Sequence, residues 1–227
     1  MKAIVLAAGR GERLRPLTDH TPKPLLVVRG QPLIAWHLHA LARAGVHEAV
    51  INLSWLGAQL RAALGSGARF GLRIRYSEEP DGALEVGGGI FHALGLLGPE
   101  PFLVVNGDTY TELDFARLTI GARALAHLVL VPNPEHHPQG DFALRSGAVE
   151  LSGEPRLTYA GIGVFRPELF ADCSPGRFPL LPLLRAAIAA ERLSGERFDG
   201  TWTDVGTAAR LASLNAMPHD GARAKHV

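Results

Sequence analysis

The residues most able to do chemistry stand close together near the start of the chain. The run is Leu6-Ala7-Ala8-Gly9-Arg10-Gly11-Glu12-Arg13-Leu14-Arg15, followed by Thr21-Pro22-Lys23-Pro24-Leu25. Glycine has no Cβ, so backbone N–H groups at Gly9 and Gly11 can approach an anion, and successive N–H groups form a concavity of fixed positive character. Arg13, Arg15 and Lys23 add full charges beside it. Phosphate binding is the chemistry this combination suits. Two common phosphate loops are excluded by spacing. A dinucleotide fingerprint needs a third glycine where Leu14 stands, and no Gly-Lys-Ser/Thr triplet follows to make a P-loop. A basic surface loop is the competing reading, and three cations with a Pro-Lys-Pro clamp weigh against it. Lys23, between two prolines, reads as exposed.

A loop of this kind needs a strand to deliver it. Lys2 to Leu6 is a short apolar, β-branched run that predicts a buried first strand. Pro32 to Ala44 has helical spacing and stops at Gly45, His47 to Leu53 predicts a second strand, and Leu56, Leu60 and Leu64 mark a helix closed by Gly65. Leu72 to Tyr76 alternates as a third strand. Strand and helix in alternation predict a parallel sheet covered on both faces. Ala83 to Gly89 predicts a glycine-rich bend, after which helical spacing resumes at Ile90; the free N–H groups of a helix start can receive a base or a phosphate. Phe102 to Asn106 is a strongly apolar strand ending in Gly107-Asp108. A carboxylate at the end of a central parallel strand lies where open α/β sheets bind ligands, which favours a metal role for Asp108 over a turn role.

The second half changes character. Leu113 to Leu125 predicts a helix and Ala126 to Val131 a strand; a hairpin about Ser146-Gly147 and a strand from Leu157 to Phe165 follow without helices between. Such a run suggests an antiparallel flap on the main sheet. Pro182 to Ala190 is an apolar helix, Leu193 to Phe198 and Gly200 to Thr203 look like a short hairpin, and Thr207 is placed to cap a helix from Ala208 to Ala216. His37, His39 and His47 lack metal-ligand spacing, and the adjacent His136 and His137 read as solvated loop residues.

Composition sets outer limits. The 227 residues include 23 Lys and Arg against 22 Asp and Glu, a formal charge of +1 that offers no global attraction to nucleic acid or an anionic membrane. Any phosphate must therefore be caught locally. One cysteine, Cys173, makes no internal disulfide and fits a reducing cytoplasm. No apolar run approaches the roughly 20 residues of a membrane span, and the start lacks a signal-peptide core. The expectation is a cytoplasmic protein without nucleic-acid or membrane partners.

The run from Leu6 to Leu25 resembles the glycine-rich motif of the sugar-1-phosphate nucleotidyltransferases. With Glu85-Val86-Gly87-Gly88-Gly89, Asn106-Gly107-Asp108 and Trp202-Thr203-Asp204-Val205-Gly206-Thr207, the chain is most similar within that family to the N-acetylmuramate α-1-phosphate uridylyltransferases, from Met1 to about Leu214. The resemblance implies an α/β, Rossmann-like nucleotidyltransferase fold of GT-A-like type: a mostly parallel central sheet covered by helices, with a small antiparallel sugar-side flap. Length and composition favour one domain over residues 1–217, and the small, polar residues from Pro218 predict a flexible tail over 218–227. The implied reaction joins UTP and a sugar-1-phosphate, giving a nucleotide sugar and pyrophosphate with Mg²⁺ as cofactor, in cell-wall (peptidoglycan) sugar recycling. Carried over by position, Arg13, Lys23 and Asp108 are catalytic; Ala7, Ala8, Gly9, Gly11, Arg13, Lys23, Gly87, Gly88, Asn106 and Asp108 bind nucleotide; Glu85 and Gly161 bind sugar; Asp108 and Asp204 hold the metal. Two departures stand out. Val86 replaces a common threonine, and Gly153-Glu154-Pro155 replaces Glu-Lys-Pro, so the lysine for the sugar phosphate is absent. The alternatives are a hexose-1-phosphate thymidylyltransferase or guanylyltransferase, or a non-catalytic nucleotide-sensing subunit; the last should lack one of Arg13, Lys23, Asp108 and Asp204, and all four are present.

Overall fold

The computed structural model describes residues 1–79 and 82–217. In chain order its strands are β1 (Lys2–Leu6), β2 (Val27–Val28), β3 (Gln31–Pro32), β4 (Glu48–Leu53), β5 (Arg73–Glu78), β6 (Phe102–Asn106), β7 (Thr109–Thr111), β8 (Ala126–Val131), β9 (Phe142–Arg145), β10 (Ala148–Glu150), β11 (Arg156–Phe165), β12 (Leu193–Arg197) and β13 (Trp202–Asp204). Its α-helices are α1 (Leu17–His20), α2 (Leu33–Arg43), α3 (Gly57–Leu64), α4 (Glu85–Leu97), α5 (Leu181–Ala189) and α6 (Ala208–Ala216). The predicted tail from Pro218 lies outside the described residues.

Nine strands form one sheet in the order β5-β4-β1-β6-β11-β8-β12-β10-β9. Because side chains of a strand alternate between faces, β1 sends Ala3 and Val5 to one core and Ile4 to the other, and β6 divides Leu103 and Val105 from Phe102 and Val104 in the same way. One core is closed by α2 and α3 through Ile34, Leu38, Leu41, Leu60 and Leu64; the other by α4 and α5 through Ile90, Ala93, Leu97, Leu184 and Ala187. Two buried faces explain why the central strands read as unbroken apolar runs.

The sheet is mixed, which corrects the expectation of a mostly parallel one. Strands β5, β4, β1 and β6 run parallel, and β8 runs parallel to β12, but β11 is antiparallel to β6, β8 and β9, and β10 is antiparallel to β9 and β12. The hairpin about Ser146-Gly147 is present, but it joins the main sheet instead of lying on it as a flap. β11 makes this possible. A register shift between Tyr159 and Gly163 bends it, so that Arg156 and Leu157 pair with β9 while Ile162 to Phe165 pair with β6, and the strands β11, β8, β12, β10 and β9 close into a small ring.

Three further expectations change. Leu113 to Leu125 holds only a 3₁₀ turn at Phe115–Arg117, capped by the Asp114 carboxylate; Thr119, Ile120 and Gly121 are poor helix formers after it. β12 and β13 do not pair with each other: β12 inserts between β8 and β10, and β13 pairs with β7, leaving the segment after Arg197 to cross over. Helix α4 begins at Glu85, so Gly87, Gly88 and Gly89 form its first turns and not a bend before it. Each glycine there meets a neighbour that a Cβ would strike: Phe178, the Gly176 carbonyl and the Glu79 carboxylate in turn. Close approach outweighs the poor helix propensity of glycine. Thr207 caps α6 as expected, its hydroxyl accepting from the Arg210 N–H at 3.3 Å.

Candidate active site

The parallel strands β1 and β6 end side by side, Leu6 in register with Asn106. The Gly107 N–H donates to the Leu6 carbonyl at 2.9 Å, and a Cβ on Gly107 would lie 2.7 Å from that oxygen, so only glycine lets the chain turn here and present Asp108 at the rim. From β1 the chain enters the glycine loop. Gly11 sits at φ +69°, its carbonyl accepting from the Thr18 hydroxyl at 2.9 Å, and the 3₁₀ turn Lys23–Leu25 brings Lys23 back across the loop. Its Nζ donates to Asp108 Oδ2 at 2.7 Å. Lys23 is 7% exposed, a correction to the exposed loop lysine expected between two prolines: its stem packs against Gly11, which has no side chain to hold it off.

These residues line a cleft of about 440 Å³, formed by Ala7, Ala8, Gly9, Gly11, Arg13, Lys23, Asn106 and Asp108, with Glu85 and Val86 from the start of α4. The three arginines of the loop have separate fates. Arg10 lies over the Trp55 ring, 4.3 Å from its centroid, and Arg15 is paired with Asp19 at 2.7 Å. Arg13, exposed on the 3₁₀ turn Glu12–Leu14, has no ion pair among the described residues and faces the cleft. It is the cation available to an incoming anion.

Gly87 and Gly88 stand one layer behind the lining, packed on the segment Gly176–Phe178. Glu85 lines the cleft in a left-handed conformation, φ +62°, and its carboxylate is 3.0 Å from Arg177 Nε. Gly161, at φ +72° in the bend of β11, is not in the lining; a Cβ there would strike the Asn106 side chain, so it lets Asn106 lie flat against β11. Glu154 is on an exposed turn, accepting from the Arg156 N–H at 3.2 Å.

Asp204 reaches the same rim by a long route. It is in register with Thr109 in the β13–β7 pair, and the next N–H, of Val205, donates to the Asp108 carbonyl at 2.8 Å. The two aspartates are thus brought to neighbouring backbone positions, but their side chains have different partners. Asp204 Oδ1 accepts from Arg210 at 2.7 Å and lies 3.2 Å from His136 Nε2. His136 is therefore anchored, not simply solvated, and its neighbour His137 lies 3.0 Å from Asp141. Among the described residues no group of three or more His, Cys, Asp or Glu side chains is arranged to hold a metal. Two oxygen donors suit Mg²⁺, which is held by one or two carboxylates and completes its shell with water and phosphate.

Behind Asp108, the His37 ring on α2 meets the Thr109 carbonyl at 2.6 Å, and burial pushes its pKa down to about 4. A neutral ring with Nε2–H donating satisfies both groups. Asn52, Glu79 and Gly206 also line the cleft, and Arg210 lies beside Asp204, none of them expected as site residues from the sequence. Asn52 and Glu79 sit at and just beyond the ends of strands β4 and β5, which is the one signal that could have marked them.

Comparison with known proteins agrees with this geometry. Residues 2–150 match the model of the nucleotidyl transferase family. This chain belongs to that family. Among nucleotidyl transferases it is 51% identical to the N-acetylmuramate alpha-1-phosphate uridylyltransferase of Neisseria meningitidis, over 96% of this chain and 98% of the relative. It is 39% identical to the protein of the same name from Caulobacter vibrioides, over 90% and 91%. A crystal structure of a Bacillus anthracis protein in complex with a sucrose superposes with a TM-score of 0.82 at 24% identity, covering 97% of this chain and 96% of that one, and shows the shared fold. No helix among the described residues is long and apolar enough to cross a membrane.

Proposed function

We propose that this nucleotidyl transferase moves UMP from UTP to N-acetylmuramate α-1-phosphate, releasing pyrophosphate. The observation that carries the transfer chemistry is the contact of Lys23 with Asp108 above the glycine loop, beside Arg13, which has no ion pair among the described residues, at the ends of β1 and β6. The substrate pair is supported by the two uridylyltransferases that match nearly the whole chain.

In this reading the backbone N–H groups around Gly9 and Gly11 and the charge of Arg13 receive the triphosphate, and Lys23 neutralises oxygens on the phosphate that reacts. The start of α4, with Val86 in the lining and Gly87 and Gly88 behind it, forms the wall for the nucleoside, so its contribution comes through backbone groups and shape. Holding both anions in line converts a bimolecular encounter between like charges into an oriented one, the main work of such a site. An oxygen of the sugar phosphate forms a bond to the α-phosphorus as the bond from that phosphorus to the β-bridging oxygen breaks; the electron pair leaves with pyrophosphate. No protein nucleophile takes part. Asp108 and Asp204 would hold Mg²⁺, which supplies charge neutralisation at the phosphates when bound.

The test follows pyrophosphate release with each of UTP, dTTP and GTP against N-acetylmuramate α-1-phosphate, glucose-1-phosphate and mannose-1-phosphate. The expected result is fastest turnover with UTP and the muramate ester. Faster turnover with dTTP and glucose-1-phosphate would transfer the assignment to a thymidylyltransferase.

A further inference from the structure

Glu79 is 3% exposed, lies beside the cleft and has no cation partner among the described residues. A carboxylate in that position must be held by hydrogen bonds. Its Oε1 accepts from Asn52 Nδ2 at 2.7 Å and its Oε2 from the Leu84 N–H at 2.8 Å. Asn52, also 3% exposed, accepts on its Oδ1 from the Ala7 N–H at 2.6 Å. The result is one buried chain of bonds, Ala7 N–H to Asn52 to Glu79 to Leu84 N–H. It runs from the start of the glycine loop to the residue preceding α4. Gly89 covers it from the helix side, where a Cβ would lie 2.8 Å from Glu79 Oε1 and 3.0 Å from Asn52 Nδ2.

The polarity of this chain is determined at both ends. Ala7 and Leu84 each offer a backbone N–H, which can only donate. Residue 52 must therefore accept toward Ala7, and residue 79 must accept toward Leu84. Between them one donor is needed, and the Asn52 amide supplies it. A carboxylate at 79 is then the only side chain of its shape that accepts on both sides. Rotating the Asn52 amide cannot relieve a change at 79, because Nδ2 would then confront the Ala7 N–H.

The geometry points to Asn52 and Glu79 as a positioning pair that sets the separation between the glycine loop and the Leu84–Val86 entry of α4, and with it the width of the cleft that receives the nucleoside triphosphate. The inference rests on the reading of the cleft as a nucleotide site. In this role the pair acts through the backbone N–H groups of Ala7 and Leu84.

Substitutions that reverse the polarity of this hydrogen-bond chain test the role. Asn52→Asp places two carboxylate oxygens against each other, and Glu79→Gln places an amide N–H against either Asn52 Nδ2 or the Leu84 N–H. The double variant Asn52→Asp/Glu79→Gln restores a complete chain with the donor moved from residue 52 to residue 79. UTP affinity with Mg²⁺ would be measured by calorimetry for the parent, both single variants and the double variant at about pH 8. Melting temperatures and the KM values for UTP and for sugar phosphate would accompany it. Each single variant is expected to weaken UTP binding by about tenfold or more, and the double variant to return to within about threefold of the parent, since neighbours in one hydrogen-bond chain are non-additive. The KM for UTP should rise more than the KM for the sugar phosphate. Unchanged UTP affinity of the folded single variants, with only the melting temperature lowered, would overturn the positioning role. So would a loss in the double variant equal to the product of the single losses. A parent protein that binds no triphosphate would instead overturn the reading of the cleft itself.

Discussion

Lys23 shows how one residue can serve charge and packing together. Its ammonium meets Asp108 at 2.7 Å while its stem fills the space beside Gly11, so truncation removes two things at once. Lys23→Ala is expected to lower turnover by about 10²-fold or more, the scale of losing one well-placed charge donor, and to cost about 1–2 kcal/mol of stability. The stability figure is modest because the Asp108 side chain is 40% exposed and water can take over part of the lysine's role. Lys23→Met separates the effects: it keeps the stem and removes the charge. Denaturant unfolding of the Met variant should resemble that of the parent while turnover stays as low as in Lys23→Ala. Recovery of turnover in Lys23→Met would mean that the lysine acts by packing alone.

At the scale of elements, α2 is tied to β7 by the buried contact of His37 with the Thr109 carbonyl, one residue beyond Asp108. Burial holds the His37 pKa at about 4, below the ordinary value of 6.5. The unfolded chain therefore takes up a proton at this histidine on acidification before the folded protein does. Where the unfolded state binds more protons, stability rises with pH, so this contribution is complete above about pH 6.5 and is lost as the pH falls toward 4. A shift of this size corresponds to about 3 kcal/mol at most. His37→Gln retains an N–H for Thr109 and cannot titrate. Urea unfolding at intervals from pH 7 to pH 4.5 should show a shallower loss of stability in the variant than in the parent. Parallel curves would place the acid sensitivity elsewhere.

At the scale of the molecule, the rim is assembled from both ends of the chain. The segment after β12 crosses to lay β13 on β7, and Trp202 Nε1 secures it by donating to the Ala160 carbonyl at 3.0 Å, in the bend of β11. This return is what puts Asp204 next to Asp108. If the two carboxylates hold one Mg²⁺, Asp108→Asn, Asp204→Asn and the double variant should lose activity to a similar degree while remaining folded, because members of one unit are grossly non-additive. Independent losses would multiply. The comparison belongs on a wide Mg²⁺ titration, since weakened metal binding is recovered at high concentration; near-normal activity of Asp204→Asn at low Mg²⁺ would assign Asp204 to its contact with Arg210 alone.

Local sequence determined what depends on neighbours along the chain. The apolar runs of β1, β4 and β6 must be buried on both faces, Gly11 and Gly107 must turn where a side chain cannot, and Thr207 must start α6, so the placing of the glycine loop and Asp108 together at strand ends was legible. Tertiary structure decided what depends on partners distant in sequence. The burial of Lys23 comes from the packing of its stem on Gly11 together with a contact 85 residues away, which its flanking prolines do not announce. The course of α4 through three glycines follows from the backbone at Gly176–Phe178 and from the Glu79 carboxylate, since propensity alone breaks a helix there. The mixed sheet follows from the bend in β11, which lets one strand serve β6 at one end and β9 at the other. Asn52 and Glu79 carried no motif, because a buried hydrogen bond is defined by where its two ends meet in space, and alternation along a strand specifies only which face each residue takes.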